Sequence, residues 1–351
     1  MQPPLTDVLR ATLVWGEGRG GGRAAGGGAG VAVLADRAAL DDVVAAGLVT
    51  AGTVVLVPAG DPEVPGTVPY EGTLDEPGSE ATLGDDLYLF TQDYSTSAYL
   101  SVIGPTLVRV FGDEDFRAFL ADADQARAAG DFPPFLLAPA ARLADLPGLG
   151  ASSSQDGPGQ RVFVRADGKV STSPTGRDLG AAAVGLDDLE ARWVELNRQE
   201  AGSCAVCLGA AVDPTTRAAA LSERPWLRRY LDAIDALRDL TARGVAEVRV
   251  AGFGGHLLPD LEDFALEDGP ADDLSAAVLS WTDDAAYLRD PARGRTFRLN
   301  RDAAPAVDAV LTTGSADAAS AWVTQEQADR AVDQLQAAGF VVGARAEGVV
   351  A

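Results

Sequence analysis

Residues 277–300, AVLSWTDDAAYLRDPARGRTFRLN, and the continuation RDAAPAVDAVLTTGSADAASAWVTQEQADRAVDQLQAAGFV, residues 301–341, carry the most legible plan in the chain. Ala277, Leu279 and Trp281 alternate with polar or smaller residues, which predicts a strand. Thr282-Asp283-Asp284 reads as a turn, Ala286–Arg289 as a second strand, and Asp290-Pro291-Ala292-Arg293-Gly294 as a turn in which Pro pre-sets φ and Gly supplies the left-handed residue. A third strand follows at Arg295–Asn300, with Phe297 and Leu299 on one face and Thr296 and Arg298 on the other.

Beyond Asn300 the apolar period changes from two to about three and a half. Asn300 is placed to cap a helix carrying Ala304, Val307 and Leu311, with Gly314 ending it. Ser315 is placed to cap a short second helix that buries Trp322 and Val323. Thr324-Gln325-Glu326-Gln327 has the form of a capping box and opens a third helix. The stripe of that helix is Ala328, Ala331, Val332, Leu335 and Ala338, closed by Gly339 with Phe340 packing back. Three strands and three capped helices predict a winged-helix-like module at residues 271–351.

The remaining chain reads as α/β (or α+β), divided into an α/β region at 1–150 and a second at 151–270 that is either separate from the first or continuous with it. Val31–Leu34, a helix with Leu40, Val43, Val44 and Leu48, and Thr53–Val57 predict a βαβ unit with parallel strands. The glycine-rich run Gly16–Gly30 precedes a strand instead of joining a strand to a helix, so it predicts a loop and not a phosphate cradle. Asp61–Gly84 reads as a long surface loop, and Tyr88, Phe90, Tyr94 and Tyr99 as a core cluster. Leu107–Phe111 predicts a strand before a helix at Asp113–Ala129. Gly148–Gly159 is the predicted linker. Arg161–Ser171, centred on Asp167-Gly168, predicts a hairpin, Leu186–Asn197 a helix, and Pro225–Arg243 a long helix with Trp226, Tyr230, Ile234, Leu237 and Leu240 inward. Asp260–Asp273 reads as a polar joint.

Composition narrows the chemistry. With 351 residues, 47% hydrophobic and 23% charged, the chain has the make-up of a soluble globular protein of two or three domains. A net charge of −24 makes nucleic acid and anionic membranes poor partners, because binding them requires Lys and Arg to displace counterions. Nothing in residues 1–31 resembles a signal peptide and no stretch has the length of a membrane span. Two cysteines in so long a chain fit a reducing compartment, and the expected location is cytoplasmic.

Lys169 is the only lysine and His256 the only histidine, so Schiff-base, P-loop and two-histidine metal chemistries have almost no residues to draw on. Lys169 reads as a solvated hairpin residue. Cys204 and Cys207 form a Cys-x-x-Cys pair, but no helix start follows to stabilise a thiolate. Zinc would need two further ligands where only His256 is on offer. A buried apolar strand is the expectation at 204–208. Gly252-Phe253-Gly254-Gly255-His256 follows a predicted strand at 246–250, yet it lacks the third glycine of a dinucleotide fingerprint, and Pro259 interrupts the helix that should follow. It reads as a tight turn. No catalytic residue, cofactor site or metal site is predicted.

The run YLRDPARGRTFRLNRDAAPAVDAVL (287–311) followed by GSADAASAWV (314–323) resembles the PqqD-like domain, the RiPP recognition element that binds leader peptides of ribosomally made, modified natural products. The matching features are the strand end Leu299-Asn300, the pair Ala303-Ala304, and Val310-Leu311 before a glycine turn. They cover about the last fifth of the chain. As a whole the chain is similar to the recognition proteins of daptide biosynthesis. The resemblance implies a non-catalytic adaptor that delivers a precursor peptide to its modifying enzymes: an oxidative decarboxylase resembling iron-dependent alcohol dehydrogenases, an aminotransferase and a methyltransferase. Carried over by position, it implies a peptide site at Thr296, Phe297, Arg298 and Leu299 of the third strand and Ala328, Ala331, Val332 and Leu335 of the third helix.

Two other readings stay open at this point. One is a peptide-modifying enzyme with the leader-binding module fused to it, which predicts a polar pocket near Gly252–His256 or Cys204–Cys207. The other is a scaffold that uses the module for packing alone. DNA reading is disfavoured because the third helix presents Glu326, Asp329 and Asp333.

Overall fold

Val31-Ala32-Val33-Leu34 is apolar at every position, and a strand of that kind needs cover on both faces. The computed structural model, which describes residues 4–19, 21–60, 66–84, 87–151, 156–198, 204–261 and 277–340, supplies that cover in a mixed α/β fold. Chain contacts divide it into two compact units. The first holds residues 1–119 and 140–224, the second 120–139 and 225–351.

The first unit is built on a ten-stranded sheet. Its elements are α1 (Leu5–Glu17), β1 (Val31–Leu34), α2 (Leu40–Ala45), β2 (Val54–Pro58), β3 (Val68–Gly72), β4 (Ser79–Leu83), β5 (Leu87–Asp93), α3 (Tyr94–Ser97) and β6 (Thr106–Arg109). α4 (Asp113–Ala129) begins in this unit and ends in the second, to which α5 (Pro134–Leu137) belongs, and the first unit continues with β7 (Ala141–Leu143), β8 (Arg161–Val164), β9 (Lys169–Ser171), β10 (Gly180–Ala181), α6 (Leu186–Arg198) and α7 (Pro214–Ser222). The strand order is β10-β9-β8-β1-β2-β3-β4-β5-β6-β7. β1 pairs in parallel with both β2 and β8, and β5, β6 and β7 are parallel to one another. Odd positions of β1 (Val31, Val33) join Leu56, Phe163 and the α1 residues Val8 and Trp15 in one core. Even positions (Ala32, Leu34) join Val55, Val57, Leu40, Val43, Leu189 and the Cys204–Cys207 segment in another.

The predicted βαβ unit and the 161–171 hairpin are as expected, with Lys169 half-exposed beside Asp167 and Asp178. Ala11–Trp15 belongs to the helix α1, whose turn-by-turn stripe Val8, Thr12, Trp15 is buried. Several expectations are corrected. The supposed surface loop at 61–84 contains β3 and β4, whose Val68, Tyr70, Ala81 and Leu83 are buried, because alternation over only five residues is masked by flanking Pro and Gly. Tyr88 and Tyr99 are exposed while Tyr94 is buried, so the aromatics form no single cluster. The described residues of the supposed linker are largely interior, with Leu146–Leu149 a buried turn of 3-10 helix and Ala151, Asp156, Gly157, Pro158 and Gly159 buried. β8 is zipped to β1, so strands from both sides of 150/151 share one sheet. The Cys204–Cys207 segment is buried as expected but is a run of turns and not a strand.

The second unit contains α5 and α8 (Leu227–Ala242), the strands β11 (Arg249–Val250), β12 (Val278–Trp281), β13 (Ala286–Asp290) and β14 (Arg295–Leu299), and the helices α9 (Ala304–Thr313), α10 (Ala316–Ala319) and α11 (Gln325–Ala337). The antiparallel sheet runs β11-β12-β13-β14, one strand more than the sequence suggested. One sheet face, with Leu279, Trp281, Ala286 and Leu288, packs on Ala304, Val307, Leu311, Ala328, Ala331 and Leu335 of the helices. α8 lies against the other face: Arg229 donates to the Ala277 carbonyl at 3.0 Å, and Thr296 donates to Asp239 at 2.7 Å.

Helix ends in this unit follow local chemistry. Gly314 takes φ 82° at the end of α9, Ser315 caps α10, and Thr324 with Gln327 completes the capping box of α11. Asn300 is not the cap of α9. Ala303 holds that position, and Asn300 instead accepts from the Asp302 amide, closing an Asx turn. Trp322 and Val323 lie past α10 and are only half-buried. The polar joint at 260–273 lies almost wholly outside the described residues.

Candidate functional site

β14 lies at one end of its sheet. Its five residues pair one-to-one with β13, from Arg295↔Asp290 to Leu299↔Ala286, and among the described residues no strand pairs with its other edge. Alternate N–H and C=O groups of an edge strand are free to bond an added chain. The side chains divide by parity. Phe297 lies opposite Leu288 and Leu299 opposite Ala286, on the face that carries the α9–α11 core. Phe297 stays half-exposed, with its ring edge-on to Phe340 at 6.3 Å, so the capping turn of α11 brings that ring to the strand. Thr296 and Arg298 face the α8 side. Thr296 is tied to Asp239 there, while Arg298 is exposed.

The helix half of the expected peptide site is different in kind. Ala328, Ala331 and Leu335 are enclosed in the core, at 0%, 2% and 1% exposure, and Val332 alone of the four is partly exposed. The surface that an incoming segment could touch is therefore Phe297, Leu299, Val332 and Phe340. Asp239, which fixes Thr296, carried no sequence signal, because it lies on α8 and is separated from Thr296 by 57 positions.

Arg298 also borders a cleft of about 740 Å3 in the second unit. Gly130, Glu247, Asp283, Asp284 and Tyr287 line it as well. Glu247 holds φ 54°, a left-handed conformation uncommon for a non-glycine residue. Arg249, on the cleft wall, is paired with Asp283 and lies 5.9 Å over the Trp281 ring.

The first unit holds a chain of buried charges. Asp145, at φ 55°, receives Arg109 on one side and Arg161 on the other, the latter at 2.9 Å. Arg161 also reaches Asp156 through Nε at 2.8 Å and Nη2 at 3.1 Å. The Cys207 thiol donates to Asp156 at 3.0 Å, and the Cys207 amide donates to Cys204 Sγ at 3.3 Å. Burial works against the Arg161 charge, but Asp156 and Asp145 outweigh it and hold the guanidinium pKa well above its usual value. Burial dominates at Arg109 and pulls its pKa down in spite of Asp145. Its Nε and Nη2 find no acceptor among the described residues, and the Trp15 ring lies 5.5 Å from its guanidinium carbon.

Asp156, Cys204 and Cys207 offer three ligand atoms within 4.8 Å of one another, a spacing that could hold a metal ion. Their environment fits one poorly. Both oxygens of Asp156 are engaged by Arg161, whose Nη2 lies 3.5 Å from Cys207 Sγ, so a cation already neutralises the carboxylate that a metal would need. Burial pushes the Cys207 thiol pKa well up, which disfavours the thiolate that metal binding and redox exchange both need.

At the two places where a catalytic pocket was expected, the reactive side chains are buried. Cys204 to Leu208 are fully buried. The His256 side chain is 4% exposed and hydrogen-bonds Asp308 through Nδ1 at 3.0 Å, while the second oxygen of Asp308 accepts from the Leu257 amide at 2.7 Å. His256 thus locks the turn after β11 onto α9. No helix among the described residues is long and apolar enough to cross a membrane. Comparison with protein-family models, with curated proteins and with solved structures gives no match to this chain.

Proposed function

We propose that this protein is a non-catalytic recognition protein that captures the leader segment of a ribosomally made precursor peptide. In this reading residues 277–340 form a winged-helix-like module of the PqqD type, and the leader adds as a strand along β14. The observation that carries it is the open edge of β14, bordered by the half-exposed apolar side chains of Phe297, Leu299, Val332 and Phe340. Main-chain hydrogen bonds supply affinity in strand addition, and pockets for alternate side chains supply selectivity. Thr296 contributes by holding the strand to α8, and Arg298 by facing the ligand.

The partners in this reading are the leader and the enzymes that modify the peptide, of the decarboxylase, aminotransferase and methyltransferase classes named by the resemblance. The adaptor role is favoured over a fused enzyme because His256 and the two cysteines are shut away from any substrate.

The test is fluorescence polarisation of the full chain with labelled leader peptides encoded by short reading frames next to its own gene. Wild type should bind in the nanomolar to micromolar range. Phe297→Asp and Val332→Glu should each weaken binding about tenfold or more, which is about 1.4 kcal/mol, with melting unchanged. Binding that ignores both substitutions would remove the strand-addition reading. His256→Ala that keeps its fold but abolishes peptide modification, without loss of binding, would favour the enzyme.

A further inference from the structure

The open edge is also the most basic stretch of an acidic chain. Arg289, Arg293, Arg295, Arg298 and Arg301 fall within residues 289–301, where Asp290 is the only acid, in a protein of net charge −24. Two of the five are neutralised by their own fold: Arg289 lies 3.4 Å from Asp239, and Arg293 lies 2.8 Å from Asp290. Arg295, Arg298 and Arg301 have no carboxylate partner among the described residues, and Arg295 and Arg298 are exposed. Elsewhere some exposed arginines find an acid, as Arg23 does with Glu190, Arg249 with Asp283 and Arg330 with Glu326, and others, such as Arg117 and Arg192, stand singly without one among the described residues; residues 295–301 differ in gathering three unmatched arginines on one strand and its end. In so acidic a chain, unmatched cations collected along one open-edged strand and its end call for an external anion.

We infer that the ligand of β14 is an acidic extended peptide, with Asp or Glu opposite and flanking Arg298 and apolar residues at the alternate positions. This rests on the strand-addition reading and specifies its ligand. Side chains directly opposite each other on paired strands share a face. A ligand residue opposite Arg298 therefore points to the α8 side, where a carboxylate meets the guanidinium at the strand itself; the cleft beyond, walled by Asp131, Glu247, Asp283 and Asp284, offers an acid no further support. Ligand residues opposite Phe297 and Leu299 point to the apolar face. Arg295 and Arg301 stand at the two ends of the strand and receive acids on either flank. The net negative charge of the protein slows the approach of such a peptide. Exposed charges are largely screened beyond about 8 Å at physiological salt, so the arginines at contact distance decide the bound state. The competing account is that the arginines only guard an edge against aggregation, and it predicts no acid preference.

The test is selection from a random-peptide library displayed on phage, against the full chain and against the triple variant R295E/R298E/R301E. Circular dichroism melts verify that the variant is folded. Wild type should enrich peptides in which acids alternate with apolar residues. A fluorescein-labelled consensus peptide should bind wild type about tenfold or more tighter than the variant, and its glutamate-to-lysine counterpart should reverse that order. Selected peptides without acid enrichment, or equal affinity for the variant, overturn the inference. Phe297→Asp separates the two levels. If acid-indifferent peptides lose binding in Phe297→Asp, strand addition stands and the acidic ligand falls. If no peptide is selected, or binding ignores both Phe297→Asp and the triple variant, both fall.

Discussion

Asp145 shows what a single residue does in this fold. It is 0% exposed, carries a left-handed backbone, and balances Arg109 and Arg161 at once. Removing one member of a buried ion network leaves uncompensated charge, at a cost of about 3–5 kcal/mol. Asp145→Ala should lower unfolding free energy in urea by that amount, and Arg161→Met should cost as much by stranding Asp156. A small effect in both would mean that water reaches the network. Cys207 makes a separate, pH-dependent prediction. Its folded pKa is raised well above the ordinary thiol value of 9.0, chiefly by burial. The folded state therefore holds its proton more tightly than the unfolded one. The stabilisation is complete below about pH 9 and is lost as pH rises further. Cys207→Ala should flatten that alkaline decline, measured as Tm against pH. Both thiols should also resist a disulfide reagent until the chain unfolds, since both are 0% exposed.

Elements in this protein owe their ends to local chemistry and their environment to distant partners. The box at Thr324 and Gln327 was legible because both halves lie within four residues, and it is present as read. Thr324→Ala should cost about 1 kcal/mol, visible as a lower Tm of the transition that carries the α9–α11 helices. The 61–84 segment shows the reverse case. Its two short strands pair with each other and with β2 and β5, the strands next to them in the chain, yet five-residue alternation flanked by glycine does not announce them. Ala328, Ala331 and Leu335 illustrate a third case. Their spacing identifies the inward face of a helix but does not say whether that face meets a core or a ligand; here it meets a core. Leu335→Asp is accordingly expected to unfold the module and not to report on peptide binding.

At the scale of the whole molecule the division into units is discontinuous. Residues 120–139 belong with the unit formed by 225–351. Phe132 of that segment stacks on Tyr230 at 5.6 Å, and the Leu136 carbonyl accepts from Arg238 at 3.1 Å. A fragment cut at 271, the start of the module as read from sequence, would lose α8 and uncover the sheet face that Arg229 and Asp239 cover. Such a fragment should show helical circular dichroism without a cooperative melt. Joining 120–139 by a linker to 225–351 should restore the melt, and failure to do so would count against the division.

The sequence alone determined what depends on neighbours within a turn or two: the period of the longer helices and of the strands β12 to β14, the caps at Ser315 and Thr324, the hairpin at Asp167-Gly168, and the net charge of −24. Those features are legible because their physics is local, in backbone preference, side-chain spacing and summed charge. Tertiary structure alone decided which edge stays open, that Asp239 grips Thr296 from another helix, and that the Cys-x-x-Cys pair closes a buried ion chain with Asp156 and Arg161. Each of these is a contact between residues far apart in the chain, and no periodicity records which distant partner will neutralise a charge or cover an edge.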